Sequence, residues 1–170
     1  FAGSQPLTVV LAGLQDPGNL GTILRVAEAF GATGVLTTKG TVSPYNAKAI
    51  RAAAGTLFRL PLLPNLTAQQ ILTLLHREKM SLFSSVAKGG RPLAEIVWKD
   101  GMRGVAVAFG SEGAGLPREL EEAGIAVSIA MAPQVESLNV ATAASVMLYE
   151  IARQRASPVE SRQGESHKEN

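Results

Sequence analysis

The chain has 170 residues, of which 46% are hydrophobic and 18% charged, and its formal net charge is +2. This length and apolar content are typical of one globular domain and exclude a disordered or fibrous chain. Cysteine is absent and the two histidines, His76 and His167, stand alone, so we expect neither disulfides nor a metal site.

Apolar, β-branched runs alternate with helical patterns along the whole chain. Strands are predicted near 7–14, 34–38, 57–63, 81–87, 104–109 and 126–131, and helices near 19–30, 44–54, 67–79, 117–123 and 138–154. This alternation predicts an α/β fold with a mostly parallel sheet flanked by helices. No apolar run approaches the roughly 18 residues that span a bilayer, so we expect a soluble, cytoplasmic protein with no membrane partner.

Several element boundaries carry typical capping residues. Ser43 and Pro44 are predicted as N-cap and first residue of the second helix, and Gly55 as its end. Thr67 and Ser137 are predicted as the N-caps of the third and last helices.

The composition changes near the end of the chain, where "ASPVESRQGESHKEN" is almost without apolar residues. We assign 1–155 to one domain and 156–170 to a disordered polar tail.

Charge is unevenly distributed. No acidic residue occurs between Glu28 and Glu78, whereas this segment contains the cations Lys39, Lys48, Arg51, Arg59 and Arg77. Such a segment is a candidate surface for a polyanion such as RNA. Ordinary solvated cations are the alternative, and charge by itself does not decide between them.

The first and last predicted helices are more apolar than a surface helix needs. "LNVATAASVMLY" is apolar around nearly its whole circumference, and in the first helix Val26 and Ala29 lie off the main apolar stripe. We interpret these faces as a homodimer interface. The alternative is that both helices lie in the core of a monomer.

Three loops follow predicted strands, where parallel sheets bind their ligands. They are "QDPGNLG", "FGSEGAGLP" and "APQVESLN". None has the spacing of a dinucleotide fingerprint or a phosphate-binding loop, so a Rossmann dehydrogenase or P-loop enzyme is not expected. Glu112, Ser137 and Asn139 are the candidate functional side chains here, although turn and helix capping alone would also explain them.

Taken together, these loops resemble a known family. "LAGLQDPGNLGTILRVAEAFGATGVL", "VAVAFGSEGAGLPREL" and "VSIAMAPQVESLNVATAASVMLYEIARQ" resemble, in order and spacing, the three motifs of the SpoU (TrmH-like) branch of the SPOUT methyltransferases. The resemblance implies a SPOUT fold with a C-terminal deep trefoil knot. It also implies a homodimer that transfers a methyl group from S-adenosylmethionine to a ribose 2′-hydroxyl of tRNA or rRNA.

The resemblance carries over to individual residues. The catalytic positions of the family fall on Asn19, Arg25, Glu112, Ser137 and Asn139. The cofactor-binding positions fall on Ser85, Gly110, Ile129 and Leu138, and no metal is implied. One departure is Ala130, where the third motif usually has proline; a backbone contact to the cofactor does not need that ring.

Arg25 has two possible roles under this resemblance. The family's proposed role is general base, but arginine stays protonated in proteins, so a charged anchor for RNA phosphate and for the developing alkoxide is the alternative. Arg25 lies about 100° from Leu24 on a helical wheel, away from the apolar stripe. We expect it to point toward a site that the other loops and a second subunit complete.

Two other functions are alternatives to ribose methylation. A catalytically silent RNA-binding or ribosome-assembly module would be favoured by loss of Arg25 or Asn139, and both are present. Methylation of a base or a protein is disfavoured, because the residues match the ribose-directed branch. Since the sequence starts at Phe1 rather than Met, we allow for an N-terminal RNA-binding segment upstream, and the particular RNA is not predicted.

Overall fold

Seven parallel strands form one sheet in the computed structural model, which describes residues 5–98 and 103–156. The elements in chain order are β1 Leu7–Ala12, α1 Pro17–Ala29, β2 Gly34–Thr38, α2 Ala47–Ala53, β3 Leu62–Leu66, α3 Ala68–Arg77, β4 Ser81–Ser85, β5 Arg91–Pro92, β6 Val105–Gly110, α4 Arg118–Ala123, β7 Ile125–Ser128 and α5 Val140–Ala156. Short 3₁₀ helices occupy Thr56–Phe58 and Leu93–Glu95. The predicted α/β class is confirmed.

The strand order, β3-β2-β1-β6-β4-β7-β5, places β1 and β6 side by side near the middle. They pair in parallel from Leu7 and Val105 to Ala12 and Gly110. Burial on both faces of the sheet explains why both strands are apolar apart from Thr8 in β1. Because the two strands end in register, the loops that follow them begin next to each other.

Alternate side chains of the central strands feed two apolar clusters, one on each face of the sheet. Val9 and Leu11 pack with residues of α1, α2 and α5. Val10 packs instead with residues of α3 and α4, among them Ile71 and Leu120. Helices therefore cover both faces, as parallel sheets require.

Helices α1 and α2 cross with their backbones in contact at Gly21. A Cβ atom at this position would lie 2.5 Å from the carbonyl oxygen of Ala49 and 2.6 Å from the Cβ atom of Ala52. Glycine is therefore required for the close approach that fixes α2 against α1.

The strand predicted over 57–63 is wrong for residues 57–61. Ala54 and Gly55 adopt left-handed conformations, with φ of 48° and 84°. The chain then forms the 3₁₀ helix, and just after it the amide of Leu60 donates to the carbonyl of Thr56 at 2.9 Å. That local bond occupies groups that a sheet ladder would use, so β3 begins only at Leu62.

Two predicted helix starts are also wrong. α2 is capped by Asn46, whose Oδ1 accepts from the amide of Lys48 at 2.9 Å. Ser43 belongs instead to a preceding turn, in which the amide of Asn46 donates to the carbonyl of Ser43. α5 is capped by Asn139 rather than Ser137, since the Oδ1 atom of Asn139 accepts from the amides of its first turn.

The cap predicted at Thr67 is confirmed, and Gln70 completes a capping box with it. β5 was not predicted because a strand of two residues leaves no periodic pattern. α5 runs to Ala156, and the remainder of the predicted tail, 157–170, lies outside the described residues. The trefoil knot stays a prediction.

None of the helices in the described ranges is long and apolar enough to cross a membrane.

Candidate active site

Three polar side chains from three separate parts of the chain meet at the carboxyl end of the sheet. The Nδ2 atom of Asn19, in the first turn of α1, donates to Oε1 of Glu112 at 3.0 Å. The Nδ2 atom of Asn139 donates to the same Glu112 oxygen at 2.8 Å and to Oδ1 of Asn19 at 3.2 Å. We call this triangle the polar cluster.

The start of α1 fixes Asn19 within the polar cluster. Asp16 caps the helix by accepting from the amide of Gly18 at 2.9 Å, and Pro17 occupies the first helical position. Lys48 of α2 binds the same carboxylate at 2.8 Å. The hydrogen bond from Lys48, followed by that from the Gly18 amide, lowers the pKa of Asp16 below its ordinary 3.8.

Asn139 is held at both ends of its side-chain amide. Its Oδ1 accepts from the backbone amides of Ala141 at 3.0 Å and Thr142 at 3.3 Å. Its Nδ2 is thereby turned toward Glu112. The N-terminus of α5 also faces this carboxylate, because the amide of Val140 lies 3.5 Å from Oε1, and a helix N-terminus favours a negative charge.

A large cleft of about 400 Å³ opens beside the polar cluster. It is lined by all four predicted cofactor residues and by two of the predicted catalytic ones, namely Ser85, Gly110, Ile129, Leu138, Glu112 and Ser137. The residues predicted from the sequence therefore line one cleft, from the ends of β4 and β6 and from the loops after β6 and β7.

Gly110 shapes the floor of the large cleft. A Cβ atom at Gly110 would overlap the carbonyl group of Gly115. The loop folds back on itself through two backbone bonds between Ser111 and Gly115, at 2.9 and 3.2 Å. Only glycine permits this return, and Glu112, within the returning loop, contacts the start of α5 through its carboxylate.

The lining of the large cleft fits a cofactor such as S-adenosylmethionine. Its volume lies within the range of pockets that bind small molecules. Leu116, Ile129 and Leu138 supply apolar walls, whereas Lys88 and Glu121 supply charges of both signs. A purine nucleoside with an amino-acid moiety has matching apolar and charged parts.

A small cleft of about 200 Å³ adjoins the large one. Gln15, Asp16, Asn19 and Gly113 line it, and Glu112 lines both clefts. A group bound in the small cleft and a cofactor bound in the large one would therefore both lie next to the polar cluster.

Two predicted catalytic residues lie apart from the polar cluster. Arg25 is exposed and lines neither cleft; it lies about 9 Å farther along α1 than Asn19 and about 120° around the helix axis. Ser137 lines the large cleft but does not cap α5.

The two clefts are also lined by charged and polar residues that were not predicted from the sequence. Lys88 and Glu121 line the large cleft and Gln15 the small one. Lys88 could have been predicted as a site residue, since it lies in a glycine-containing loop just after β4. Glu121 could not, because its sequence context is typical of the solvated face of a charged helix. Within the described ranges, no group of three or more His, Asp or Glu side chains could hold a metal ion.

Known proteins resemble this chain over nearly all of its length. A Synechocystis protein named uncharacterized tRNA/rRNA methyltransferase slr1673 is 45% identical over 150 residues, which are 88% of this chain and 54% of that protein. The 23S rRNA (guanosine(2553)-2'-O)-methyltransferase RlmP of Bacillus subtilis is 32% identical over 84% of this chain and 56% of its own length.

Solved structures show the same architecture. The SpoU methyltransferase AviRb of Streptomyces viridochromogenes, crystallised with the cofactor AdoMet, superposes with a TM-score of 0.83 at 28% identity, over 91% of this chain and 62% of that one. The present chain thus spans little more than half the length of the curated relatives. The model of the SpoU rRNA Methylase family matches residues 6–149, and the chain belongs to that family.

Proposed function

We propose that this chain transfers the methyl group of S-adenosylmethionine to a ribose 2′-hydroxyl of a structured rRNA or tRNA. The observation that carries the proposal is the polar cluster of Asn19, Glu112 and Asn139 at the junction of the two clefts. The name of the Bacillus subtilis relative, a 2'-O-methyltransferase, supports the choice of acceptor.

The large cleft is the proposed cofactor site. Ser85 and Gly110, at the ends of β4 and β6, and Ile129 and Leu138, in the loop after β7, line it. They would hold S-adenosylmethionine mainly through backbone groups and apolar contact. When bound, this cofactor supplies a methyl group that is already activated by its positive sulfur. The protein then has to align the acceptor oxygen and assist the departure of its proton.

The small cleft is the proposed acceptor site. Asn19 lines it, and Asn139 contacts Asn19 and Glu112 at its edge. In our proposal these amides and the Ser137 hydroxyl orient the ribose, while Glu112 fixes the two amides. Holding the acceptor oxygen in line with the methyl group accelerates the transfer, because the reacting atoms no longer have to find this geometry by chance.

Arg25 is proposed to act in the site of a second subunit. Tyr149 of α5 is 55% exposed and contacts Phe30 edge to face, with ring centroids 5.8 Å apart, and Val146 is 39% exposed. These apolar side chains lie uncovered near α1. A homodimer paired through them would cover the apolar face and bring Arg25 of the partner subunit toward the polar cluster. Arg25 would there act as the base or, protonated, bind phosphate and the developing alkoxide.

Incubation with S-adenosylmethionine labelled in its methyl group and with total RNA tests this function. The label is expected on ribose 2′-oxygens after nuclease digestion, and Arg25→Ala is expected to abolish transfer while retaining cofactor binding. Label on a base, or full transfer by Arg25→Ala, would refute the proposal. Because its proposed substrates are rRNA and tRNA, we propose that the protein acts in the cytoplasm.

A second candidate is a catalytically silent RNA-binding module. The distance of Arg25 from both clefts within one chain favours it, because a monomer would lack this cation at the polar cluster. Binding of both S-adenosylmethionine and RNA without any label on the RNA would identify this second function.

A further inference from the structure

The segment without acidic residues, between Glu28 and Glu78, loses much of its positive charge through contacts with carboxylates at or beyond its ends. Lys48 pairs with Asp16 at 2.8 Å. Arg59 binds Glu28 through Nε and Nη2, and Arg77 pairs with Glu78 at 2.9 Å. Arg51, exposed in the last turn of α2, has no ion pair with any described residue.

Exposed apolar side chains accompany Arg51. Phe58 is 89% exposed, Tyr45 is 66% exposed and Ile50 is 42% exposed. All three belong to the short stretch that contains α2 and the 3₁₀ helix after it. We call Tyr45, Ile50, Arg51 and Phe58 the α2 surface.

Phe58 is exposed although its backbone is firmly held. Thr56, two residues earlier, is 1% exposed and donates its hydroxyl to Glu28 at 2.7 Å. Arg59, the next residue, donates to the same carboxylate through Nη2 at 2.8 Å. The ring therefore projects from a braced turn, and a ligand that stacks on it would not first have to order the chain.

The segment that bears the α2 surface contacts α1 on both sides of Arg25. Gly21 and Glu28 lie one turn before and one turn after Arg25, on the same side of α1. Gly21 contacts α2 at Ala49 and Ala52, and Glu28 binds the 3₁₀ helix. Arg25 therefore lies between two contacts with the segment that bears the α2 surface, and it has no ion pair with the described residues either.

We propose that the α2 surface binds unpaired RNA next to the methylated nucleotide, with Phe58 and Tyr45 stacking on bases and Arg51 contacting a phosphate. This inference rests on the proposed function. Single-stranded RNA is recognised by aromatic side chains that stack on splayed bases beside cations that neutralise the backbone. The two unpaired arginines match a polyanion, and the exposed aromatic side chains favour loops over duplexes as the RNA class expected here.

The test is the affinity of the whole chain, without cofactor, for a fluorescein-labelled RNA hairpin with an unpaired loop and for a fully paired duplex of the same composition. Phe58→Ala is expected to weaken hairpin binding about fivefold or more and to leave duplex binding unchanged, whereas Phe58→Trp retains hairpin affinity. Arg51→Ala is expected to lose one phosphate contact. The slope of log affinity against log salt concentration should therefore become shallower by about 0.7.

Two variants serve as matched controls. Val97→Ala shortens another exposed apolar side chain, 57% exposed and near β5, and Arg77→Ala removes a cation of the same segment from α3. Neither should change hairpin affinity. If Phe58→Ala and Arg51→Ala behave like these controls while the unaltered chain binds and methylates RNA, the inference is wrong and the proposed function stands.

Other outcomes are equally decisive. A change in dimerisation with Phe58→Ala, at unchanged RNA affinity, would assign the α2 surface to a second copy of the chain and overturn the inference. Absence of both RNA binding and transfer in the unaltered chain would overturn the proposed function together with this surface. Unchanged cofactor affinity in each variant confirms that it remains folded.

Discussion

The carboxylate of Glu112 accepts a hydrogen bond from the side-chain amide of Asn139 at 2.8 Å, which joins the loop after β6 to the first turn of α5. The same Asn139 caps α5 with its oxygen. One side chain thus has a structural task at Oδ1 and a task in the polar cluster at Nδ2. These tasks can be separated by substitution.

Asn139→Ser should retain the helix cap and lose the polar cluster. Serine caps helices about as well as asparagine but is too short to reach Glu112, so stability is expected to stay close to that of the unaltered chain. Asn139→Ala loses both and should be destabilised by about 0.5–2 kcal/mol. Methyl transfer should fall roughly 100-fold in both variants, because the acceptor is misplaced.

Denaturant unfolding and single-turnover transfer measure the two effects. Full transfer by Asn139→Ser would show that the amide contact to Glu112 is dispensable and would contradict the role given to the polar cluster.

The residue that caps α5 could not be predicted from the sequence. In "ESLN" both Ser137 and Asn139 are favourable N-caps, so local preference does not choose between them. The choice is made by contacts across the fold, since Glu112 and Asn19 bind the Nδ2 atom of Asn139 and fix its amide.

The three loops of the site were predictable from the apolar strands before them and from their glycine spacing. The displacement of Arg25 from both clefts was not, because it depends on how α1 docks.

Gly110 should be essential for cofactor binding, whereas Gly113 of the same loop should not. A Cβ atom at Gly110 would overlap the backbone of Gly115, but one at Gly113 would meet no atom within 4 Å. Gly110→Ala is therefore expected to weaken S-adenosylmethionine binding at least tenfold, since the floor of the large cleft must move. Gly113→Ala is expected to retain the affinity of the unaltered chain.

Isothermal titration with S-adenosylmethionine and S-adenosylhomocysteine measures both affinities without requiring RNA. Equal affinities for Gly110→Ala and Gly113→Ala would show that the large cleft is not where the cofactor binds.

The ion pair between Glu28 and Arg59 should make stability depend on pH in the acid range. The hydrogen bond from Arg59, helped by that from Thr56, lowers the pKa of Glu28 from its ordinary 4.5 to about 2. Between these two values the unfolded chain binds more protons than the folded one, so stability increases with pH. The stabilisation is complete above about pH 4.5 and disappears as the pH falls toward about 2.

Glu28→Gln should flatten this part of the profile of unfolding free energy against pH, and Arg59→Ala should flatten it similarly. Because the pair is exposed, added salt should reduce its effect in the unaltered chain. An undiminished slope in Glu28→Gln would show that other carboxylates cause the acid sensitivity.

Arg25 offers the sharpest test of a site shared between subunits. If each site combines the polar cluster of one chain with Arg25 of the other, Arg25→Ala and Asn139→Ser each show little or no transfer alone. Mixed dimers then contain one site with both residues intact, and random exchange of subunits should restore about a quarter of full transfer. A mixture of Asn139→Ser with Glu112→Ala is the matched control. Those two residues contact each other within one chain, so every mixed site keeps one defect and no transfer returns. Equal activity in the two mixtures would place Arg25 in the site of its own chain.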